Sequence, residues 1–335
     1  MIRNLEEGLK QINHTVEHHI IERDTEIPLF HYLPKNPRYV ITRPVDYAYL
    51  NFARREIEEA VESFGPDIIH ATHLRLLPAL EVANNRDIPS VLSVHAKELK
   101  YTRLATSAIE AASTIHAVSG FTAELVENLV PDTETNVIHP SIDVEYYHSV
   151  AQDATSTGDV LTLSRFVDRK NIRMLIDVWK SLPTSTKEGR MLKVVGDGPN
   201  RRKLEERAAN HDDIEFLGFV NMEEKGRLLA ESELFALVPL QDGYDVEGFG
   251  IVWIEAQAAG TPVIGSSYGG APEAIGDAGV IVESPSNEDE VRAALQTMLD
   301  SNIQTYQQAA RRRIKGFDIL PIAKEHDRVY QSLLS

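Results

Sequence analysis

Short runs of apolar and β-branched residues recur along the chain, and between many of them apolar positions return every three or four residues. The short runs read as buried strands and the longer patterns as helices. In the first half the strand candidates are Val16–Ile21, Pro28–Leu33, Asp67–Ala71, Ser90–His95, Thr114–Ser119 and Asn136–His139. Helical patterns cover Ile2–Gln11, Tyr47–Phe64 and Thr122–Leu129. In the second half the strands are Val160–Ser164, Leu192–Gly196, Ile214–Leu217, Leu234–Val238, Pro262–Gly265 and Gly279–Val282. Helices follow from Asn171, Asn200, Met222, Ile251 and Glu288, and a last amphipathic helix covers Asp318–Leu334. Such alternation predicts an α/β protein with two parallel sheets, each wrapped by helices.

The polar stretch Ser149–Gly158 lacks either period and is predicted to be an exposed join. It divides the chain into residues 1–150 and 151–315, with a terminal helical segment at 316–335. The basic run Arg311–Lys315 just before that segment reads as a solvated helix end. A chain of 335 residues is long enough for two cores.

Charge and composition narrow the chemistry. Lys and Arg total 34 against 51 Asp and Glu, a net charge of -17. That field opposes binding to nucleic acid, and no basic amphipathic face marks a membrane surface, although local peripheral contact with one stays open. Cysteine is absent, which excludes disulfides, thiol nucleophiles and Cys-based zinc sites. No apolar stretch approaches the roughly 18 residues of a membrane span. The first twenty residues hold no signal-peptide core. A cytoplasmic location is the expectation, including the cytoplasmic face of a membrane.

In open parallel sheets, ligands sit beyond the carboxyl ends of the strands. In the second half those ends carry Arg165 with Lys170, the turn Gly196-Asp197-Gly198-Pro199, the loop Gln241–Glu247 and the loop Ser266–Glu273. Arg165 and Lys170 flank a predicted helix start, where two cations and free backbone N–H groups suit a diphosphate. Gly248 and Gly250 open another helix, with Glu247 before it and Glu255 two turns inside. A carboxylate in so apolar a helix needs partners; sugar hydroxyls and a structural ion pair both qualify. The Gly196–Pro199 turn serves equally as a ligand approach or as plain punctuation. No G-x-G-x-x-G fingerprint occurs, which speaks against a nicotinamide dehydrogenase. His70 and His73 stand three apart, but no third ligand is placed to complete a metal site.

These motifs in this order resemble family-4 retaining glycosyltransferases. The resemblance rests on Arg165 and Lys170, the G-x-G-P turn at 196–199, and Glu247 and Glu255 eight apart around Gly248-Phe249-Gly250. The A-A-G-x-P-V segment at 258–263 and the G-G-x-P-E loop at 269–273 complete it. It implies the GT-B fold, two Rossmann-like domains facing across a cleft, with the terminal helix crossing back to the first. It also implies transfer of a sugar from a nucleotide-diphosphate donor to the hydroxyl of a glycan, lipid-linked or small-molecule acceptor, with no metal or other cofactor. By the same resemblance Arg165 and Lys170 would hold the diphosphate, Glu255 the ribose and Glu247 the transferred sugar. Gly248, Phe249 and Gly250 would offer it backbone donors, Asp197 and Gly198 would lie near the base, and His95 would stand close to the reacting carbon.

The chain opens on the helix Ile2–Gln11, without the strand and Gly-Gly loop with which the family begins. The expectation is a start upstream of Met1 or a rebuilt first domain. Two other functions stay open: a catalytically silent scaffold that keeps the donor domain, and a nucleotide-sugar epimerase of the same fold.

Overall fold

The computed structural model describes residues 2–17, 54–300 and 303–335. The predicted strand Pro28–Leu33, most of Val16–Ile21 and the beginning of the helix Tyr47–Phe64 lie outside the described residues.

The helices are α1 (Ile2–Gln11), α2 (54–64), α3 (Leu77–Asn85), α4 (Thr102–Ala111), α5 (Gly120–Leu129), α6 (Val144–Asp153), α7 (Ile172–Ser181), the short α8 (Thr184–Lys187), α9 (Arg201–Ala208), α10 (Met222–Glu231), α11 (Ile251–Ala258), α12 (Ala271–Ile275), α13 (Glu288–Asp300), α14 (Gln304–Arg313) and α15 (Ile319–Leu334). Two parallel sheets carry them. The first is β1 (Ile69–Ala71), β2 (Ser90–Val94), β3 (Thr114–Ala117) and β4 (Thr135–Val137), in that spatial order. The second comprises β5 (Val160–Leu163), β6 (Leu192–Val195), β7 (Ile214–Gly218), β8 (Leu234–Ala236), β9 (Val263–Ser266) and β10 (Gly279–Val282), ordered 10-9-8-5-6-7.

Strands β2, β3 and β8 are buried at every position, as expected of strands covered on both faces. In the second sheet the strand order reverses between β5 and β8, which pair directly. The crevice outside their carboxyl ends is the natural ligand position of such a sheet.

The expected linker is corrected in its first half, while residues 154–158 are irregular. Residues 149–153 continue α6, whose Val144 and Tyr147 join the core of the second sheet while the helix packs on α10 and α11. Its last turns are small and polar because they face solvent, which hides the helical period. Asp143 caps α6, its side chain accepting the Tyr146 N–H at 2.8 Å.

Helix α15 returns to the first sheet, as the resemblance implies. It lies against α1, where Gly8 permits the approach: a Cβ there would stand 2.5 Å from the Ala323 Cβ. Leu9, Val91 and Tyr330 form the buried centre of that contact.

Candidate functional site

The carboxyl ends of the two sheets face each other, and loops from both rims meet. At the switch point of the second sheet, the loop after β5 is held by Asn171, which adopts a left-handed backbone (φ 55°) that asparagine tolerates. Its side-chain amide donates to the carbonyls of Val238 (3.1 Å) and Pro285 (2.8 Å). The loop therefore presents its cations to the segment leading from β8 to α11.

Lys170 lies 2.5 Å from Glu247 Oε2, and an Arg169 guanidinium nitrogen donates to the same oxygen at 3.0 Å. Arg169 Nε also stands 3.0 Å from Asp245 Oδ1, an ion pair without hydrogen-bond alignment. Lys97, from the first domain, reaches that Asp245 oxygen at 2.8 Å. Burial alone would push the Glu247 carboxyl up, but Lys170 and Arg169 outweigh it and hold it below the usual carboxylate range. Arg165 is exposed beside this cluster in sequence, two positions beyond β5. Arg169, Lys97 and Asp245 were not singled out in the sequence; Arg169 stands between the two expected cations, and the Lys97–Asp245 pair joins loops of different domains.

Helix α11 starts at Gly250, whose φ of 91° favours glycine and whose Cβ would collide with the Trp253 ring. No side chain caps this helix, so its first N–H groups stay available to an oxygen ligand. Among the described residues the N–H groups of Gly248, Phe249 and Gly250 donate to no protein acceptor. The Phe249 side chain is buried instead in an interdomain stack, its ring 4.9 Å from that of His139 and 5.8 Å from Phe317.

Glu255 lies apart from the Glu247 cluster. It is buried on α11 and paired with Lys225 of α10 at 2.6 Å. The Tyr147 hydroxyl is buried nearby without a well-formed hydrogen bond, and burial first, then the Glu255 charge, raise its pKa far above the usual phenol range. Asp197 is exposed and bonded to the Gly198 N–H (2.6 Å) and to Arg201 (3.3 Å). The glycines of this turn answer to the neighbouring loop. A Cβ at Gly196 would lie 1.9 Å from the Ser164 carbonyl oxygen, and one at Gly198 2.7 Å from that of Phe166.

On the first rim His95 ends β2 half-buried, and burial lowers its pKa, leaving it neutral near pH 7. Deeper in the sheet, His70 Nδ1 meets the Tyr330 hydroxyl, and its Nε2 meets Ser93 Oγ. Ser93 in turn meets His116 Nδ1, and His116 Nε2 donates to the Ile138 carbonyl, each contact 2.7 Å long. Because a carbonyl only accepts, the whole chain of donors runs one way, from Tyr330 to Ile138. Burial holds His70 down at about 3 and His116 at about 4. His70 thus has a structural task and His73 stands elsewhere, beside Glu98. Among the described residues no group of three or more His, Cys, Asp or Glu side chains is placed to hold a metal ion.

The Arg311–Lys315 run is also corrected in part. Arg313 is largely buried and donates to Gln257 Oε1 and to the carbonyls of Ala274 and Glu273, at 2.6–2.7 Å. An open groove of about 830 Å³ near His148, Gly260 and Arg311 contains none of the candidate residues. Among the described residues no helix is long and apolar enough to cross a membrane.

Residues 148–315 match the model of the glycosyl transferases group 1, and residues 1–146 that of Glycosyltransferase Family 4. The chain is 34% identical over 155 residues to a GDP-mannose-dependent monoacylated alpha-(1-6)-phosphatidylinositol monomannoside mannosyltransferase of Corynebacterium glutamicum, a match covering 45% of this chain and 40% of that one. It is 29% identical to a glycogen synthase of Mycobacterium tuberculosis, over 80% of this chain and 69% of the other. Its fold is that of sucrose-phosphate synthase from Thermosynechococcus elongatus (TM-score 0.74, 19% identity, 99% and 92% of the two chains). It is also that of Anabaena HepE, whose structure is a complex with UDP and glucose (TM-score 0.68, 20% identity, 85% and 81%). The two parallel-sheet domains, the motifs on the second rim and these matches together assign the chain to the family-4, group-1 glycosyltransferases of GT-B fold.

Proposed function

We propose that this glycosyltransferase takes a sugar from a nucleotide-diphosphate donor and passes it, with retention of anomeric configuration, to an acceptor hydroxyl of a glycan, lipid-linked or small-molecule substrate. The observation that carries this reading is the surplus of cations at the switch point. Arg165, Arg169 and Lys170 come from the loop after β5 and Lys97 from the facing rim, and among the described residues Asp245 and Glu247 are the carboxylates paired with this group. In a chain of net charge -17, a local positive site suits a diphosphate. The GDP-mannose named for a mannosyltransferase relative and the UDP-glucose complexed with HepE are consistent with it.

In this scheme the diphosphate lies against Arg165, Lys170 and the open end of α11. The bond between the anomeric carbon and the phosphate oxygen breaks as the acceptor oxygen bonds to that carbon on the same face. The acceptor's proton passes to the departing phosphate oxygen, so no protein nucleophile takes part. Charge growing on the diphosphate is met by the two cations and by backbone N–H groups already in position. A donor sugar hydroxyl replaces Lys170 on Glu247, a ribose hydroxyl replaces Lys225 on Glu255, and neutral His95 accepts a hydrogen bond from the sugar or donates one to it. The base lies over Asp197 and Gly198. No step calls for a metal.

The test is release of nucleoside diphosphate from UDP-, GDP- and ADP-sugars across a broad acceptor panel, with the anomeric configuration of the product read by NMR. Turnover with a retained anomer supports the scheme, and an inverted product contradicts it. Donor binding without turnover would favour the silent scaffold.

A further inference from the structure

The Gly269-Gly270-Ala271-Pro272-Glu273 loop takes no part in the donor scheme, yet its carboxylate is bonded directly to the opposite domain. Glu273 sits in the first turn of α12. Its carboxylate accepts the N–H of Gly120 at 2.8 Å and that of Phe121 at 3.1 Å, the first two residues of α5 in the first domain. A carboxylate at a helix N-terminus is stabilised by the unpaired N–H groups and by the dipole. Ser119, the N-cap of α5, accepts the Thr122 N–H and gives its own hydroxyl proton to the Gly248 carbonyl at 2.6 Å. The start of α5 is thereby tied to two loops of the second domain.

Those two loops are locked to each other. The Gly270 N–H donates to the Glu247 carbonyl at 2.9 Å. A Cβ at Gly269 would stand 2.2 Å from that carbonyl oxygen, and one at Gly270 2.1 Å from the Gly248 oxygen, so the glycine pair is required by close backbone approach. From below, Arg313 grips the carbonyls of Glu273 and Ala274. A shift of Glu273 is therefore transmitted to the backbone of Glu247.

We propose that Glu273 is a positioning residue: by capping α5 of the opposite domain it holds the cleft closed and sets the place of the Glu247–Gly250 segment. Its kinetic consequence rests on the function proposed above; its conformational consequence does not.

Because the chain has no cysteine, Asn128→Cys on α5 and Lys203→Cys on α9 give a single spin-label pair across the cleft. In the ligand-free protein Glu273→Ala should move the interdomain distances to longer, broader values. Glu273→Gln, which keeps one acceptor oxygen, should fall between. Gly120→Pro removes one of the two N–H donors at a helix position that suits proline, and should give a smaller shift in the same direction even if Glu273→Ala folds poorly. With turnover measured, Glu273→Ala should lose about 10- to 100-fold in kcat/KM through misplacement, with a smaller loss of nucleoside diphosphate affinity, because Arg165 and Lys170 are kept while the N–H groups that open α11 move. Distances unchanged from wild type in the folded variants would overturn the proposal, as would wild-type kcat/KM in Glu273→Ala. If wild type turns over no donor, the donor reading fails separately and the distances alone decide.

Discussion

Glu247 and Glu98 are both carboxylates sunk at the rim of the cleft, one in each domain, and their environments drive them in opposite directions. Glu247 has two cations on one oxygen, and their attraction outweighs its burial. Glu98 accepts the Leu74 N–H at 2.9 Å and faces His73, which burial first and Arg75 next hold down at about 4; its other oxygen has no hydrogen-bond partner. Burial therefore pushes Glu98 up to about 7. The same difference runs through the two rims. The second carries paired charges, whereas the first domain holds histidines, His95 at its rim and His70 and His116 deeper in the sheet, with shifts all downward and burial their main cause. Under the function proposed above, the paired charges suit a highly charged donor and the less charged face of the first domain an uncharged hydroxyl acceptor.

The largest effect should come from dismantling the charged rim. Arg165→Ala combined with Lys170→Ala should lower kcat/KM by about 100-fold or more, as loss of transition-state donors commonly does, read as nucleoside diphosphate release. Wild-type turnover would break the comparison on its charged side.

The buried histidines packed in the first domain are probed by acid. His70, His116 and His326 stay unprotonated in the fold below their ordinary pKa of 6.5, because burial opposes their charge. The unfolded chain takes up these protons first, so stability is present above pH 6.5 and lost as pH falls toward about 4. With three protons released on folding, the slope should approach roughly 4 kcal/mol per pH unit near pH 5. Urea unfolding at several pH values measures it; a flat profile from pH 6.5 to 4.5 would contradict burial of all three.

Glu98→Gln should act at the other end of the scale. The raised pKa means that the carboxyl costs nothing below about pH 4.5 and most above pH 7, so the variant should gain about 3 kcal/mol at pH 8 and nothing at pH 4. Smallest is Lys97→Ala: its pair with Asp245 is about half exposed, and removal should cost under about 1 kcal/mol, less in high salt.

Much of this frame was legible beforehand. Strands β5 to β10 and the starts of α10, α11 and α13 fall within a residue or two of the positions that periodicity predicts, because buried parallel strands and capped helices leave local signals. The expected candidates on the second rim, apart from Glu255 inside α11, also lie at strand ends or in the loops that follow, as parallel-sheet topology requires. Contacts between distant loops left no such signal. Arg169 on Glu247, Lys97 on Asp245, Glu273 on α5 and Arg313 beneath α12 each join residues that no helical or strand period relates. Helix α6 escaped for a different reason: only Val144 and Tyr147 are buried, and its polar final turns read as a linker. The glycines at 196 and 198 were ambiguous, and the structure gives their local cause in the crowding by Ser164 and Phe166.

The proposed diphosphate site is open to direct measurement. Calorimetric titration of the wild-type protein and of the Arg165→Ala/Lys170→Ala variant with UDP and with GDP measures it without need of an acceptor. Binding of one nucleotide by wild type, weakened at least about tenfold in a variant of unchanged folded stability, is the predicted result; a factor of ten corresponds to about 1.4 kcal/mol. Equal affinity in the two proteins would contradict it.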